Sequence, residues 1–124
     1  MEKRFLALAG MLAGLAVATG AFAAHMLKFR ISVEMLDVFK TGAKYQMYHA
    51  IALAIVALTY KLWPRPMFLV AGWFFISGIL LFSGSLYVMS ITGNKWFGII
   101  TPFGGLCFLT GWTLYVLAAF KLNR

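Results

Sequence analysis

The stretch "MFLVAGWFFISGILLFSGSLYVMS", Met67 to Ser90, carries no charged residue. Wound as a helix rising 1.5 Å per residue, it is about 36 Å long, enough to cross the roughly 30 Å hydrocarbon core of a bilayer. Working outward from it, three more apolar runs appear: Phe5 to Ala24, about Tyr45 to Leu62, and Thr101 to Phe120. The breaks between them are sharp. "WPRP", Trp63 to Pro66, ends the second run, because a residue before proline avoids the helical region, and Pro66 suits the first turn of the next helix. "TGNK", Thr92 to Lys95, is a turn, and Thr101-Pro102 reads as an N-cap followed by proline at the first helical position. Short connections force antiparallel neighbours. The expected fold is all-α: an integral membrane four-helix bundle in a single domain, residues 1–124, with spans at about 5–24, 45–62, 67–90 and 101–120.

Composition agrees. Of 124 residues, 63% are hydrophobic and 11% charged, against about 25% charged in a soluble domain, and the mean hydropathy is +0.89. The net charge of +8 is scattered between apolar runs, with no basic helix or nucleic-acid motif, so it reads as attraction to anionic lipid. The lone cysteine, Cys107, lies in an apolar run and reads as a small hydrophobe. "MEKR" before an apolar run that ends in "AFAA" imitates a secretory signal, but the run exceeds a signal core of about 7–15 residues. A retained helix is expected, its Gly10, Gly14 and Gly20 forming a close-approach face of GxxxG type, with Gly78 and Gly84 serving helix packing in the third span. Between spans one and two, residues 32–44 mix charges with Met35, Leu36 and Phe39. Ser32 is a plausible N-cap and Glu34 a first-turn acid, so a short amphipathic interfacial helix is expected there, either separate or running on into the second span.

In an up-down bundle the end of helix one, the start of helix two, the end of helix three and the start of helix four share one membrane face. The polar residues "KYQMYHA", Lys44 to Ala50, fall there. Tyr45 and His49 share a helix face at i,i+4, and His25 is placed at similar depth. The expected site combines His25, Tyr45, Gln46, His49, Tyr87, Thr101, Gly104 and Gly105, with Lys28, Lys40, Lys44 and Lys95 as a headgroup rim. Imidazoles, phenols and free N–H groups at the start of helix four suit a polar head such as a lipid phosphate or a quinone carbonyl. The competing reading is that these groups bond one another, because an unsatisfied polar group in lipid is costly. A third reading makes His25 and His49 axial ligands of a haem.

The acids Glu2, Glu34 and Asp37 all lie outside the expected spans, which argues against a proton- or cation-coupled transporter. No catalytic set, metal cluster or phosphate loop can be assembled, so catalytic and metal sites are expected to be none, the activity non-enzymatic and the cofactors none. Expected partners are membrane lipids, anionic ones included, and a second copy or another subunit of a membrane complex; nucleic acid is not expected.

"GAFAAH" (Gly20 to His25), "TGAKYQMYHA" (Thr41 to Ala50), "FSGSLY" (Phe82 to Tyr87) and "TPFGGLCFLTGW" (Thr101 to Trp112) together resemble the small bacterial membrane proteins of the domain of unknown function 423, or UPF0382, family, to which eukaryotic transmembrane protein 256 is similar. The resemblance spans nearly the whole chain. Ala23 departs from it, standing where the family pattern has glycine. It implies a bacterial inner-membrane, multi-pass protein and carries no catalytic residues to transfer. Six cations on the side of the termini (Lys3, Arg4, Lys61, Arg65, Lys121, Arg124) face five on the other. The basic N-terminus places both termini in the cytoplasm.

Overall fold

A computed structural model describes residues 2–122; Arg124, one of the cations counted above, lies outside them. The chain is all-helical, with no strand among the described residues. α1 spans Glu2–His25. A 3-10 turn, Leu27–Phe29, leads to α2, Val33–Leu62. α3 spans Pro66–Thr92 and contains a π-turn at Ile79–Ser83. A second 3-10 turn, Lys95–Ile99, precedes α4, Thr101–Phe120.

The expected stops hold. α2 ends at Leu62 with Trp63 extended, Pro66 opens α3, and α3 closes on Gly93 at φ +72°, a left-handed conformation that glycine adopts without steric cost. Ser32 caps α2, its hydroxyl accepting from the Met35 amide at 3.1 Å. One open alternative is decided and one local expectation fails. Residues 33–44 are not a separate helix but the first three turns of α2, because nothing between Thr41 and Tyr45 breaks the hydrogen-bond ladder. Ile100, not Thr101, occupies the N-cap of α4; its carbonyl takes the Phe103 and Gly104 amides, while the preceding 3-10 turn binds the Ile100 amide. The free N–H groups expected there are therefore largely used.

α2 packs against both α1 and α3, and α4 packs chiefly against α3. Phe5, Leu53, Val56, Phe68 and Phe75 are essentially inaccessible at the centre. Between helices in lipid, close van der Waals fit replaces the hydrophobic drive, and here the fit is aromatic on glycine. A Cβ on Gly72 would lie 3.1 Å from Phe5 Cδ2, one on Gly111 would lie 2.7 Å from Phe75 Cε1, and one on Gly42 would lie 2.9 Å from Tyr87 Cε1. Gly78 receives Phe108 in the same way, and Gly104 lies against the backbone of Phe82. Of the expected packing glycines, Gly78 alone does this. A Cβ on Gly10, Gly14 or Gly20 of α1, or on Gly84 of α3, would touch nothing within 4 Å, so none of these four seats a neighbouring helix.

Among the described residues three helices are long and apolar enough to cross a membrane: Glu2–Phe29, Pro66–Thr92 and Lys95–Phe120. α2 falls outside that group on composition. It carries the charged turns of 33–44 and the polar Gln46 and His49, both of which are buried in the protein.

Candidate functional site

The polar residues separate into two arrangements with different jobs. The first is a set of internal bonds. The Gln46 amide nitrogen donates to the Leu12 carbonyl of α1 at 2.8 Å, and its amide oxygen accepts from the Tyr87 hydroxyl at 2.7 Å. One side chain of α2 thereby ties α1 to α3. Ser83, in the π-turn, donates to the Gly42 carbonyl at 2.7 Å. Ser85 and Thr101 share a hydroxyl bond of 2.6 Å that joins the end of α3 to the start of α4. Thr59 and Tyr115 do the same between α2 and α4 at 2.9 Å. Among the described residues no buried side-chain polar atom lacks a partner, as a lipid surrounding demands.

His49 belongs to this set. Trp112 donates its indole N–H to His49 Nε2 at 3.1 Å, and His49 Nδ1 lies 2.9 Å from the Tyr45 carbonyl. An indole only donates, so Nε2 must accept and Nδ1 carries the proton that goes to the carbonyl. The pair thus selects one neutral tautomer. The ring also stacks on Phe108, centroids 3.6 Å apart and planes 10° from parallel.

His25 does not join it. The end of α1 packs beside Phe39, through Ala23 and Leu27, and His49 lies ten residues further along α2, about 15 Å deeper. The His25 side chain is exposed. The expectation of two imidazoles at one depth is corrected: α1 runs past the polar stretch of α2 instead of ending level with it. The haem reading loses its geometry, since both His49 nitrogens are engaged and His25 is remote from them. Among the described residues no group of three metal-ligating side chains occurs either. Ala23, the departure from the family pattern, is fully buried, so its methyl fills the space against Phe39 and Leu27.

The second arrangement is an open groove of about 690 Å³ between α2 and α4, with Phe82 of α3 on its floor. Tyr45, Tyr48 and His49 form one wall; Gly105, Leu106, Leu109 and Trp112 form the other. α2 and α4 run in the same direction and meet at Thr59–Tyr115 and at His49–Trp112. Side chains bridge them there and at the His49–Phe108 stack, and the space left between the two helices at the His49 end is the groove. The hydroxyls of Tyr45 and Tyr48 have no hydrogen-bond partner among the described residues. A Cβ on Gly105 would meet nothing within 4 Å, so this glycine leaves the wall open.

Of the expected site residues, Tyr45, His49 and Gly105 line the groove. Gln46, Tyr87 and Thr101 are engaged in helix-to-helix bonds, Gly104 in backbone contact, and His25 stands apart. Tyr48 was missed, although its i,i+3 spacing from Tyr45 and i,i+4 spacing from Lys44 were legible. Among the rim lysines, Lys95 pairs with Glu34 at 3.8 Å, and Lys28 lies 5.0 Å over the ring of Phe29. Lys40 and Lys44 are exposed on α2, in the turns that precede the groove-lining Tyr45 and Tyr48.

Long apolar helices, joined by bonds that leave no buried side-chain polar atom unpartnered among the described residues, define a multi-pass membrane protein. The sequence family described as protein of unknown function (DUF423) matches residues 19–105. The chain is 46% identical over 120 residues to the UPF0382 membrane protein YwdK of Bacillus subtilis (strain 168), covering 96% of this chain and 98% of that one. It is 42% identical over 119 residues to the UPF0382 membrane protein SAB0533 of Staphylococcus aureus (strain bovine RF122 / ET3-1), covering 96% and 97%. A third relative, SSP2132 of Staphylococcus saprophyticus, is 38% identical over 120 residues, covering 97% and 99%. The chain belongs to the DUF423/UPF0382 family of membrane proteins. No solved structure matches it.

Proposed function

We propose that this is a four-span bundle of the bacterial inner membrane whose α2–α4 groove holds the hydrocarbon chain of a membrane lipid. The observation that carries the reading is the groove itself. Its volume of about 690 Å³ lies in the range of small-molecule sites, roughly 300–1,000 Å³. Its walls are aromatic and aliphatic, and its free polar atoms are two phenols. It runs along α4 from Pro102 to Trp112, about 15 Å, or half the hydrocarbon core. The ligand therefore belongs to one leaflet, on the face opposite the termini.

α2 is the fourth span in this reading. Its low hydropathy comes partly from Gln46 and His49, which face protein rather than lipid. At 30 residues it is about 45 Å long, some 15 Å more than the core needs, and the excess matches the charged turns of 33–44, which then lie in the headgroup region. Both termini are placed in the cytoplasm, as the basic N-terminus favours.

Native mass spectrometry of gently extracted protein tests the proposal. Wild type is expected to retain lipid, and Leu109→Trp, which fills the groove from a residue already 65% exposed, to lose most of it. Equal retention by both would overturn the reading. A second reading, a structural subunit of a membrane complex, draws on the outward face of α1, where Gly10 and Gly14 meet no neighbour. It predicts an oligomer or co-purifying subunit disrupted by Gly14→Leu.

A further inference from the structure

We infer that the lipid seated in this groove is an anionic phospholipid, its phosphate held by Lys40 and Lys44 above Tyr48. The inference rests on the groove reading and adds the headgroup class. Lys40, Lys44 and Tyr48 follow one another at four-residue intervals, so they descend one side of α2, about 6 Å per step. Tyr48 is half exposed and lines the groove. Lys44 is one turn above it and adjoins Tyr45, the other free phenol. The three groups form a track from the aqueous surface to the mouth of the apolar channel.

Charge at this end of the molecule favours an anion. Lys28, Arg30, Lys40, Lys44 and Lys95 face Glu34 and Asp37. Glu34 is occupied by Lys95. Asp37 precedes Lys40 by three residues and Lys44 by seven, which places it about 10 Å above Lys44, on the aqueous side of the track. Neither Lys40 nor Lys44 has an ion-pair partner among the described residues. A phosphate at their level would accept from two ammonium groups and from the phenols, while its acyl chain ran down past Leu106 and Leu109 to Trp112. A zwitterionic headgroup would bring its own cation against the lysines and lose much of that gain.

The test uses the full chain in detergent, titrated with palmitoyl-oleoyl phosphatidylglycerol or with palmitoyl-oleoyl phosphatidylcholine, with bound lipid read by native mass spectrometry. Wild type is expected to favour phosphatidylglycerol. A basic residue near a membrane surface contributes about a five-fold gain in anionic-lipid affinity, so Lys44→Gln should cost about five-fold and Lys40→Gln/Lys44→Gln about 25-fold, with phosphatidylcholine retention unchanged. Lys61→Gln/Arg65→Gln, at the opposite end of α2, controls for the overall positive charge and should leave the preference intact. Equal binding of the two lipids by wild type would overturn the inference. So would a preference that survives loss of both lysines or disappears in the Lys61/Arg65 control. Leu109→Trp separates the two levels. If it lowers retention of both lipids while no headgroup preference exists, the groove stands and the anion assignment falls; if it changes neither, the groove reading falls first.

Discussion

Adjacent glycines in the first turns of α4 provide a sharp contrast. A methyl on Gly104 would lie 2.7 Å from the Phe82 Cα and closer still to the Phe82 backbone nitrogen, whereas a methyl on Gly105 would meet nothing within 4 Å. Backbone cannot rotate aside as a side chain can, so Gly104→Ala must push α4 away from α3. Overpacking of this kind costs about 1–3 kcal/mol. Both substitutions gain the same helix-propensity term, about 1 kcal/mol for Gly to Ala, so their difference isolates the clash. Gly105→Ala is expected to be neutral or stabilising, and Gly104→Ala to fall below it by about 1–3 kcal/mol. Thermal unfolding in one detergent, followed by loss of the monodisperse size-exclusion peak, measures the order directly. Equal midpoints for the two variants, or a lower midpoint for Gly105→Ala, would refute the α3–α4 packing described above.

Gln46→Leu removes two bonds that join three helices and should cost about 1–2 kcal/mol, toward the upper end of the range measured for single polar contacts in membrane bundles; an unchanged midpoint would show those bonds to be dispensable. His49→Ala is expected to lower stability well beyond Lys40→Ala, because one side chain is 7% exposed with both nitrogens bonded and the other is on the surface. Nitrogen-15 spectra of labelled histidine should report His49 as the neutral Nδ1–H tautomer, and Trp112→Phe should release that restriction; an Nε2–H tautomer in wild type would contradict the indole bond. Glu34→Gln should shift stability by less than about 1 kcal/mol, since both partners of its ion pair are largely exposed, and a larger loss in unfolding assays would give that pair a structural role.

Helix positions were legible because lipid imposes a hard length requirement. Met67 to Ser90 could hardly be anything else, and proline, glycine and serine punctuate the chain where the backbone must turn. Helix rotation was not legible. Gly10 and Gly14 satisfy a spacing rule, but spacing is invariant to which way the helix faces, and α1 presents them outward. Gly42, Gly72 and Gly111 obey no such rule; each is defined by an aromatic ring on a different helix, and a single sequence does not say which ring meets which glycine. The π-turn was hidden for the same reason: it is pinned from outside, by Gly42 accepting from Ser83 and by Gly104 lying against Phe82. His25 illustrates a third gap. Its depth was inferred from the end of an apolar run, but α1 overhangs the polar part of α2, and an offset of ten residues along α2 separates the imidazoles.

The same polar stretch therefore does two things on two sides of one helix. Gln46 faces α1 and α3 and spends its capacity on holding them. Tyr45 and Tyr48 face the gap toward α4 with hydroxyls left over. His49 stands on the border, bonded to Trp112 and stacked on Phe108, and so bridges α2 and α4 at the edge of the gap. The internal network is what allows the groove to exist: α2 is fixed to its other neighbours by bonds that do not involve α4, so α4 can stand away at one end without loosening the bundle. Substitutions on the Gln46 side should accordingly alter unfolding with little change in lipid selectivity, and those at Lys44 or Leu109 the reverse. If both sets of variants moved stability and lipid retention in parallel, the groove would be an edge of the packing rather than a site in its own right.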